Sequence, residues 1–153
     1  MASMWLYSSV DLILDGTLDL NADTIKVGLS SSTHVIGLDD TFLDDGSADD
    51  FSSGEIAVSG YTGGFAGAGR KTLASKTFLT DATSNESRFA AADPSAWTLA
   101  TGVTVEQATI MKEITNDPAS LAIIYLDFTG VPTNGGTFTL QFAATGIGVC
   151  DCG

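Results

Sequence analysis

A series of short apolar runs, each closed by turn-forming residues, constrains the fold of this chain more than any other feature. The runs span 71–80, 87–92, 97–99, 103–114, 121–128 and 137–143. Segments such as Asp93-Pro94-Ser95 and Thr133-Asn134-Gly135-Gly136 separate them, and Asn-Gly tolerates the positive φ of tight turns between strands. No regular alternation of strand and helix is visible. We therefore predict a mostly β fold, an antiparallel β-sandwich or barrel-like domain with a short N-terminal α-helix.

Individual segments carry this prediction in different ways. Residues 121–128 are almost continuously apolar, which is typical of a strand covered on both faces and places this strand centrally in its sheet. Residues 24–29 alternate with a period of two, as a half-buried strand does, and 55–61 is also predicted as a strand. Apolar residues near helical spacing predict a helix over about 4–20.

The length of 153 residues fits one domain, and no linker composition divides it. We expect a single β domain over 1–153. It begins with the N-terminal helix at about 4–20, continues through an acidic excursion over 30–54, and closes with a flexible C-terminal tail over 146–153.

The charge balance limits the classes of partner. Lys and Arg number 6 against 19 Asp and Glu, for a formal net charge of -13. Such a chain repels a phosphate backbone, so direct nucleic-acid binding is not expected. The N-terminus lacks a basic region followed by an apolar run, and we expect neither a signal peptide nor a membrane span.

No catalytic motif is recognisable in the sequence. His34 is the single histidine and lies in a Ser/Thr-rich segment, which predicts a solvent-exposed loop residue. The glycines between Gly60 and Gly69 lack the spacing of a phosphate-binding loop, which favours a mobile loop before Arg70 or a loop that becomes ordered against a neighbouring subunit. We expect a protein that is not an enzyme and carries no cofactor.

Acidic pairs at a five-residue spacing are the most unusual polar feature. They are Asp39-Asp40, Asp44-Asp45 and Asp49-Asp50. A calcium site is one interpretation, although the register of an EF-hand loop and its distal Glu are missing. The other interpretation, which we favour, is a solvated acidic loop or one that meets a basic partner surface.

Two cysteines, Cys150 and Cys152, lie within the last four residues and cannot cross-link the body of the fold. A one-residue gap strains an internal disulfide, and two thiolates do not complete a structural zinc site. Free thiols at a frayed terminus are the favoured interpretation. An intermolecular disulfide through Cys150 or Cys152 is the alternative.

The order of several segments resembles a group of small virion-associated proteins of tailed bacteriophages. In that group an N-terminal helix leads into a D-x-D-T-I-K-V strand, as at 21–27 here. Similar segments follow in order: V-S-G-x-G-Y-T and K-T-L near 58–62 and 71–73, F-x-A-D-D-x-x-W-T near 89–98, and the strands at 121–128 and 138–147. The acidic excursion, the glycine insertion within 61–70 and the Cys-x-Cys end depart from the group's pattern.

The resemblance implies a virion structural role, namely a capsid decoration or cement protein on the capsid exterior, made in the host cytoplasm. Its partners would be the major capsid protein, copies of itself, or both, and the group carries no catalytic residues to transfer. Contacts are expected from the N-terminal segment, the acidic excursion, the glycine loop and the tail. The interface candidates are Met4, Trp5, Tyr7, Tyr61, Phe65, Arg70, Cys150 and Cys152.

Other functions remain as alternatives. A tail or neck component would share the fold and differ in forming rings. A host-surface carbohydrate-binding module would suit a β-sandwich, but sugar platforms need exposed aromatic rings, and the chain has 2 Trp and 3 Tyr.

Overall fold

The computed structural model of the chain describes residues 2–35 and 37–151. Its strands are β1 (Ala2–Trp5), β2 (Lys26–Ser30), β3 (Lys71–Thr72), β4 (Thr77–Asp81), β5 (Glu86–Ala90), β6 (Trp97–Thr98), β7 (Thr104–Lys112), β8 (Leu121–Pro132), β9 (Thr137–Phe138) and β10 (Gly148–Asp151). Its helices are α1 (Tyr7–Leu14) and α2 (Phe51–Gly54), with a 3₁₀ turn at Asp117–Ala119.

The strands form three sheets. The largest has the order β1-β8-β7-β2-β3, the second β10-β5-β4, and the third pairs β6 with β9. Every pairing of these strands is antiparallel. The prediction of a mostly β, antiparallel fold with a short helix near the N-terminus is therefore confirmed.

The N-terminal segment corrects the predicted helix over 4–20. Met4 and Trp5 lie in β1, opposite Tyr125 and Ile124 of β8, and the helix runs only from Tyr7 to Leu14. Two short elements replace one long helix because the backbone of the first residues finds hydrogen-bond partners along β8, which local spacing cannot reveal.

Strand β8 lies between β1 and β7, as its apolar pattern predicted. Its first six residues, Leu121 to Leu126, are all buried. The exposed second half of β8 pairs with the start of β7, where Val105 faces Val131. One strand thus supplies both the centre of the large sheet and its solvent-exposed end.

Two other predictions are wrong in detail. Residues 55–61 make only isolated bridges, Ser30 to Glu55 and Val58 to Tyr61, because Gly60 turns the chain at a φ of 93°. The tail predicted from residue 146 contains a strand, since Gly148 to Asp151 pair with β5 as β10.

Residues of all three sheets share one main core. The core contains Ile110 and Ile123 of the large sheet and Ile25, which directly precedes β2. Phe89 of β5 and Trp97 of β6 belong to the same cluster. Close approach of the sheets requires a glycine at one point: a Cβ at Gly148 of β10 would lie 2.7 Å from the Trp5 ring. Without that Cβ, β10 can pack directly beside β1.

Candidate functional site

Arg70, an interface candidate, is instead a buried internal cation. Its side chain is fully buried and donates from Nε and Nη2 to the two carboxylate oxygens of Glu55, at 2.9 and 2.8 Å. Nη1 donates to Glu113 at 3.0 Å and to Asp117 at 2.6 Å. Since all sides of the guanidinium meet residues of its own chain, Arg70 is not available to a partner. The interface prediction for it is wrong.

The glycine loop before Arg70 is held by the same carboxylates. Gly64 N–H donates to Glu55 Oε2 at 2.7 Å, and Ala66 N–H donates to Glu113 Oε1 at 3.0 Å. Tyr61 donates its hydroxyl to Glu55 at 2.8 Å and is only 5% exposed, which also overturns its prediction as an interface residue. The predicted mobile loop is therefore an ordered cover over an ion-pair network.

The electrostatics of this network follow from burial and pairing. Burial acts to lower the pKa of Arg70, but hydrogen bonds to Glu55 and Asp117 outweigh it, so the pKa lies above its usual value. Burial opposes ionisation of Glu113 as well, yet hydrogen bonds from Lys26 and Arg70 hold the pKa of Glu113 below its usual value. Arg70 and Glu113 are therefore both charged at neutral pH, and their hydrogen bonds hold the loops to the sheet.

His34 is buried, in contrast to the exposed loop residue that its polar neighbours predicted. It is 1% exposed and packs edge-on against the rings of Phe51 and Tyr125, at 5.6 and 5.5 Å. Its Nδ1 lies 3.3 Å from Ser30 Oγ. Burial lowers the pKa of His34 to about 4, against the opposing charges of Asp50 and Asp49. The imidazole is neutral at pH 7 and closed to solvent, which suits a packing role.

The acidic excursion is anchored to the body of the domain. Leu43 and Phe51 are buried in a second, smaller core with Leu6. Backbone hydrogen bonds join Leu43 to Ser120 and Tyr7 to Leu38. The excursion is therefore a folded part of the domain.

The six acidic residues proposed for calcium mostly bind their own backbone. Carboxylates of Asp40, Asp44 and Asp45 accept N–H groups of Gly37, Gly46 and Ser47, and Asp50 accepts the N–H of Ser53 at the start of α2. Asp39 and Asp49 are exposed. Among residues 2–35 and 37–151, no group of three or more His, Cys, Asp or Glu is placed to hold a metal ion. The structure thus does not assemble the calcium candidates into one site.

The interface candidates at the N-terminus remain accessible. Tyr7 is 64% and Met4 37% exposed, whereas Trp5 is partly buried with its ring 6.5 Å from Phe89. Phe65, on the glycine loop, is 42% exposed. Cys150 contributes its backbone to β10 opposite Ser87, and the interface prediction for its side chain and for Cys152 falls outside the described residues.

An apolar cleft lies beside α1. Its walls are Trp5 of β1, three residues of α1, and the sheet of β4 and β5, with a volume of about 190 Å³. The lining residues are Trp5, Val10, Ile13, Leu14, Phe78, Ser87 and Phe89. Leu14 is 80% and Phe78 49% exposed, so large apolar side chains border this cleft and face water. Clustered exposed apolar groups mark protein-interaction sites.

Strand β4 forms one border of the apolar cleft and ends its sheet. Four of its five residues, Thr77 to Thr80, are exposed, and two of them are Phe78 and Leu79. This surface was not predicted from the sequence. A signal was present in the adjacent pair Phe78-Leu79, because neighbours in a strand face opposite sides and both sides here are apolar.

In the described part of the chain, no helix is long and apolar enough to cross a membrane. No protein-family model, curated protein or solved structure matches this chain.

Proposed function

We propose that this protein is a bacteriophage virion structural protein of the capsid decoration type, which binds the outer capsid surface and stabilises contacts between capsomers. The single observation that supports this most is the apolar cleft beside α1, with Leu14 and Phe78 exposed at its borders. A decoration protein needs a rigid scaffold with an apolar surface kept for its partner. The order of sequence segments shared with virion-associated phage proteins supports the same role.

The polar side chains most suited to catalysis make their contacts inside the domain. Arg70 is enclosed by three carboxylates, and His34 is buried between aromatic rings. A rigid, internally paired core of this kind suits a protein that acts by packing. We therefore propose a binding role without catalysis, with the major capsid protein, copies of the chain, or both as partners.

Comparison of virions with and without the protein tests this proposal. If it is a decoration protein, particles that lack it break open or release their genome at a lower temperature than complete particles, and adding the purified chain restores their heat resistance. Equal heat resistance of the two particle types would contradict capsid stabilisation. Particles complemented with Phe78→Ser should behave as if the protein were absent, while Phe42→Ser, at an aromatic residue 41% exposed outside the lining of the apolar cleft, should restore stability.

The number of copies per virion separates the capsid from other sites. Decoration of a shell requires hundreds of copies, in order of magnitude, whereas a tail or neck ring requires on the order of ten. Quantitative mass spectrometry of purified particles against the major capsid protein gives this ratio. A ring-like copy number would move the protein to the tail or neck.

The state of the terminal cysteines is a separate element of the proposal. If Cys150 or Cys152 joins neighbouring copies, particles dissolved without reductant show a dimer or a larger species on gel electrophoresis. A monomer alone, with thiols blocked before lysis, would exclude the crosslink and leave the decoration role unchanged.

A further inference from the structure

Strand β4 is the free edge of the three-stranded sheet. On one side it pairs with β5 over its whole length, from Thr77 opposite Ala90 to Asp81 opposite Glu86. On the other side no strand of the described chain pairs with it. In an antiparallel pair alternate residues direct their N–H and C=O groups away from the partner strand. The outer edge of β4 therefore offers a row of unpaired backbone groups to another strand.

The apolar cleft lies directly beside this edge. Phe78 belongs both to β4 and to the wall of the cleft, and its ring lies 5.7 Å from that of Phe89. A strand added next to β4 directs every second side chain to the face on which Phe78 lies. Apolar side chains at those positions would enter the cleft between β4 and α1.

Carboxylates border both ends of β4. Asp19 lines a hollow with Phe78 at one end, and Asp81 and Glu86 line a hollow at the other. Arg88 pairs with both of the latter acids, which leaves one negative charge in excess there. At the first end, Lys76 directly precedes β4 and contacts Asp23, which also pairs with Lys112 and accepts the N–H of Asp19, so the carboxylates there are balanced by lysines. The edge thus has an apolar middle and one acidic end, at Asp81 and Glu86.

We infer that β4 binds an extended segment of a partner protein by strand addition, and that this segment is apolar at alternate central positions and carries Lys or Arg at the end that meets Asp81 and Glu86. Backbone hydrogen bonds to β4 would give affinity, the cleft would select apolar side chains, and the acidic end would select a basic flank. A basic flank also fits a chain of formal net charge -13, which repels acidic partners. The inference rests on the proposed function, because it supplies the contact by which a capsid protein would hold this chain.

An array of short synthetic peptides tests the inference on the full chain. Central positions carry all combinations of Val, Ile, Leu, Phe and Thr, and each peptide is made with paired Lys or paired Glu at both ends. We expect binding by lysine-flanked apolar peptides, about tenfold or more weaker binding by their glutamate-flanked counterparts, and loss of this preference at high salt. Amide hydrogen exchange should slow in 77–81 when such a peptide binds.

Phe78→Ser and Phe42→Ser are the matched variants. Both replace a half-exposed phenylalanine, at 49% and 41%, and only Phe78 lines the cleft. Peptide binding should fall about tenfold or more in Phe78→Ser and stay unchanged in Phe42→Ser. Circular dichroism and unfolding curves of both variants would establish that each one folds.

Several outcomes would overturn strand addition. These are an array without binders, binding that leaves exchange in β4 unchanged, binding that survives Phe78→Ser, and a concentration-dependent dimer of this chain that Phe78→Ser abolishes. In the last case the occupant of the edge is a second copy. If strand addition fails while the chain still stabilises virions, the decoration role stands alone. If peptides bind β4 but virions contain no copy of the chain, the surface stands and the virion role is wrong.

Discussion

Arg70 and Glu55 form a bidentate ion pair beneath the glycine loop, with Nε to Oε1 at 2.9 Å and Nη2 to Oε2 at 2.8 Å. The Arg70 side chain is fully buried, and the Glu55 side chain is 5% exposed. Two parallel hydrogen bonds fix the relative orientation of the groups as well as their distance. The pair therefore links the segment after α2 to the start of β3, and the loop between them is ordered by it.

Replacing Arg70 with Met is expected to destabilise the domain by about 3–5 kcal/mol, because Glu55, Glu113 and Asp117 would stay buried with only Lys26 as a counter-ion. Urea unfolding followed by tryptophan fluorescence measures the loss. Arg88→Met is the matched control: Arg88 also contacts two carboxylates, but its side chain is 20% exposed, and the expected loss is about 1 kcal/mol or less. Equal losses in the two variants would contradict the proposed importance of burial.

The low pKa of the buried His34 should make the stability of the domain depend on pH. Its pKa is about 4 in the folded state and about 6.5 in an unfolded chain, so protons bind the unfolded state first as pH falls. The contribution of His34 to stability is therefore complete above about pH 6.5 and is lost progressively towards pH 4, by roughly 3 kcal/mol.

His34→Gln isolates that contribution because carboxylate titration is common to both proteins. Free energies of unfolding at several pH values should show a steeper decline for the wild type between pH 6.5 and 4 than for the variant. Parallel curves would mean that His34 does not stay neutral in the folded protein.

Gly54 makes the burial of His34 possible. A Cβ at Gly54 would lie 2.5 Å from His34 Cβ and 2.6 Å from the His34 backbone nitrogen, and backbone cannot move aside cheaply. Gly54→Ala should therefore cost about 1–3 kcal/mol through overpacking, although Ala favours helices. Ser53→Ala, at the exposed preceding position of α2, should cost less than about 1 kcal/mol in the same unfolding experiment. A neutral Gly54→Ala would contradict the close approach.

The sequence predicted those parts of the fold that depend on local patterns. Alternating and continuous apolar runs located β2, β7 and β8, because the apolar pattern within a strand indicates which of its faces are buried. The N-terminal helix was predicted too long because the pairing of Ala2–Trp5 with β8 joins residues more than a hundred positions apart. Local spacing carries no information on such a partner.

The functional surfaces were harder to predict for the same reason. Arg70 meets Glu55, Glu113 and Asp117 across 15, 43 and 47 positions, so a sequence window around Gly60–Gly69 shows only glycines and a cation. The apolar cleft joins α1 to β4 and β5, again across distant segments. Met4 and Tyr7 could be recognised as exposed candidates because they lie at the N-terminus, whereas Leu14 and Phe78 required the fold.

The two tryptophans provide a matched test of a buried hydrogen bond. Trp97 is 1% exposed and donates from Nε1 to the Gly69 carbonyl at 2.6 Å, whereas the buried Nε1 of Trp5 finds no acceptor in the described part of the chain. Trp97→Phe removes ring volume and leaves the Gly69 carbonyl unpaired, while Trp5→Phe removes ring volume and an unsatisfied donor.

We expect Trp97→Phe to lower the free energy of unfolding in urea by about 1–3 kcal/mol more than Trp5→Phe, because only the first variant leaves a buried polar group unpaired. Circular dichroism follows both transitions independently of the lost fluorophore. If the two variants lose equal stability, the bond from Trp97 to Gly69 contributes nothing beyond packing. A larger loss in Trp5→Phe would mean that Trp5 Nε1 has a partner, and that packing between β1 and β10 depends on it.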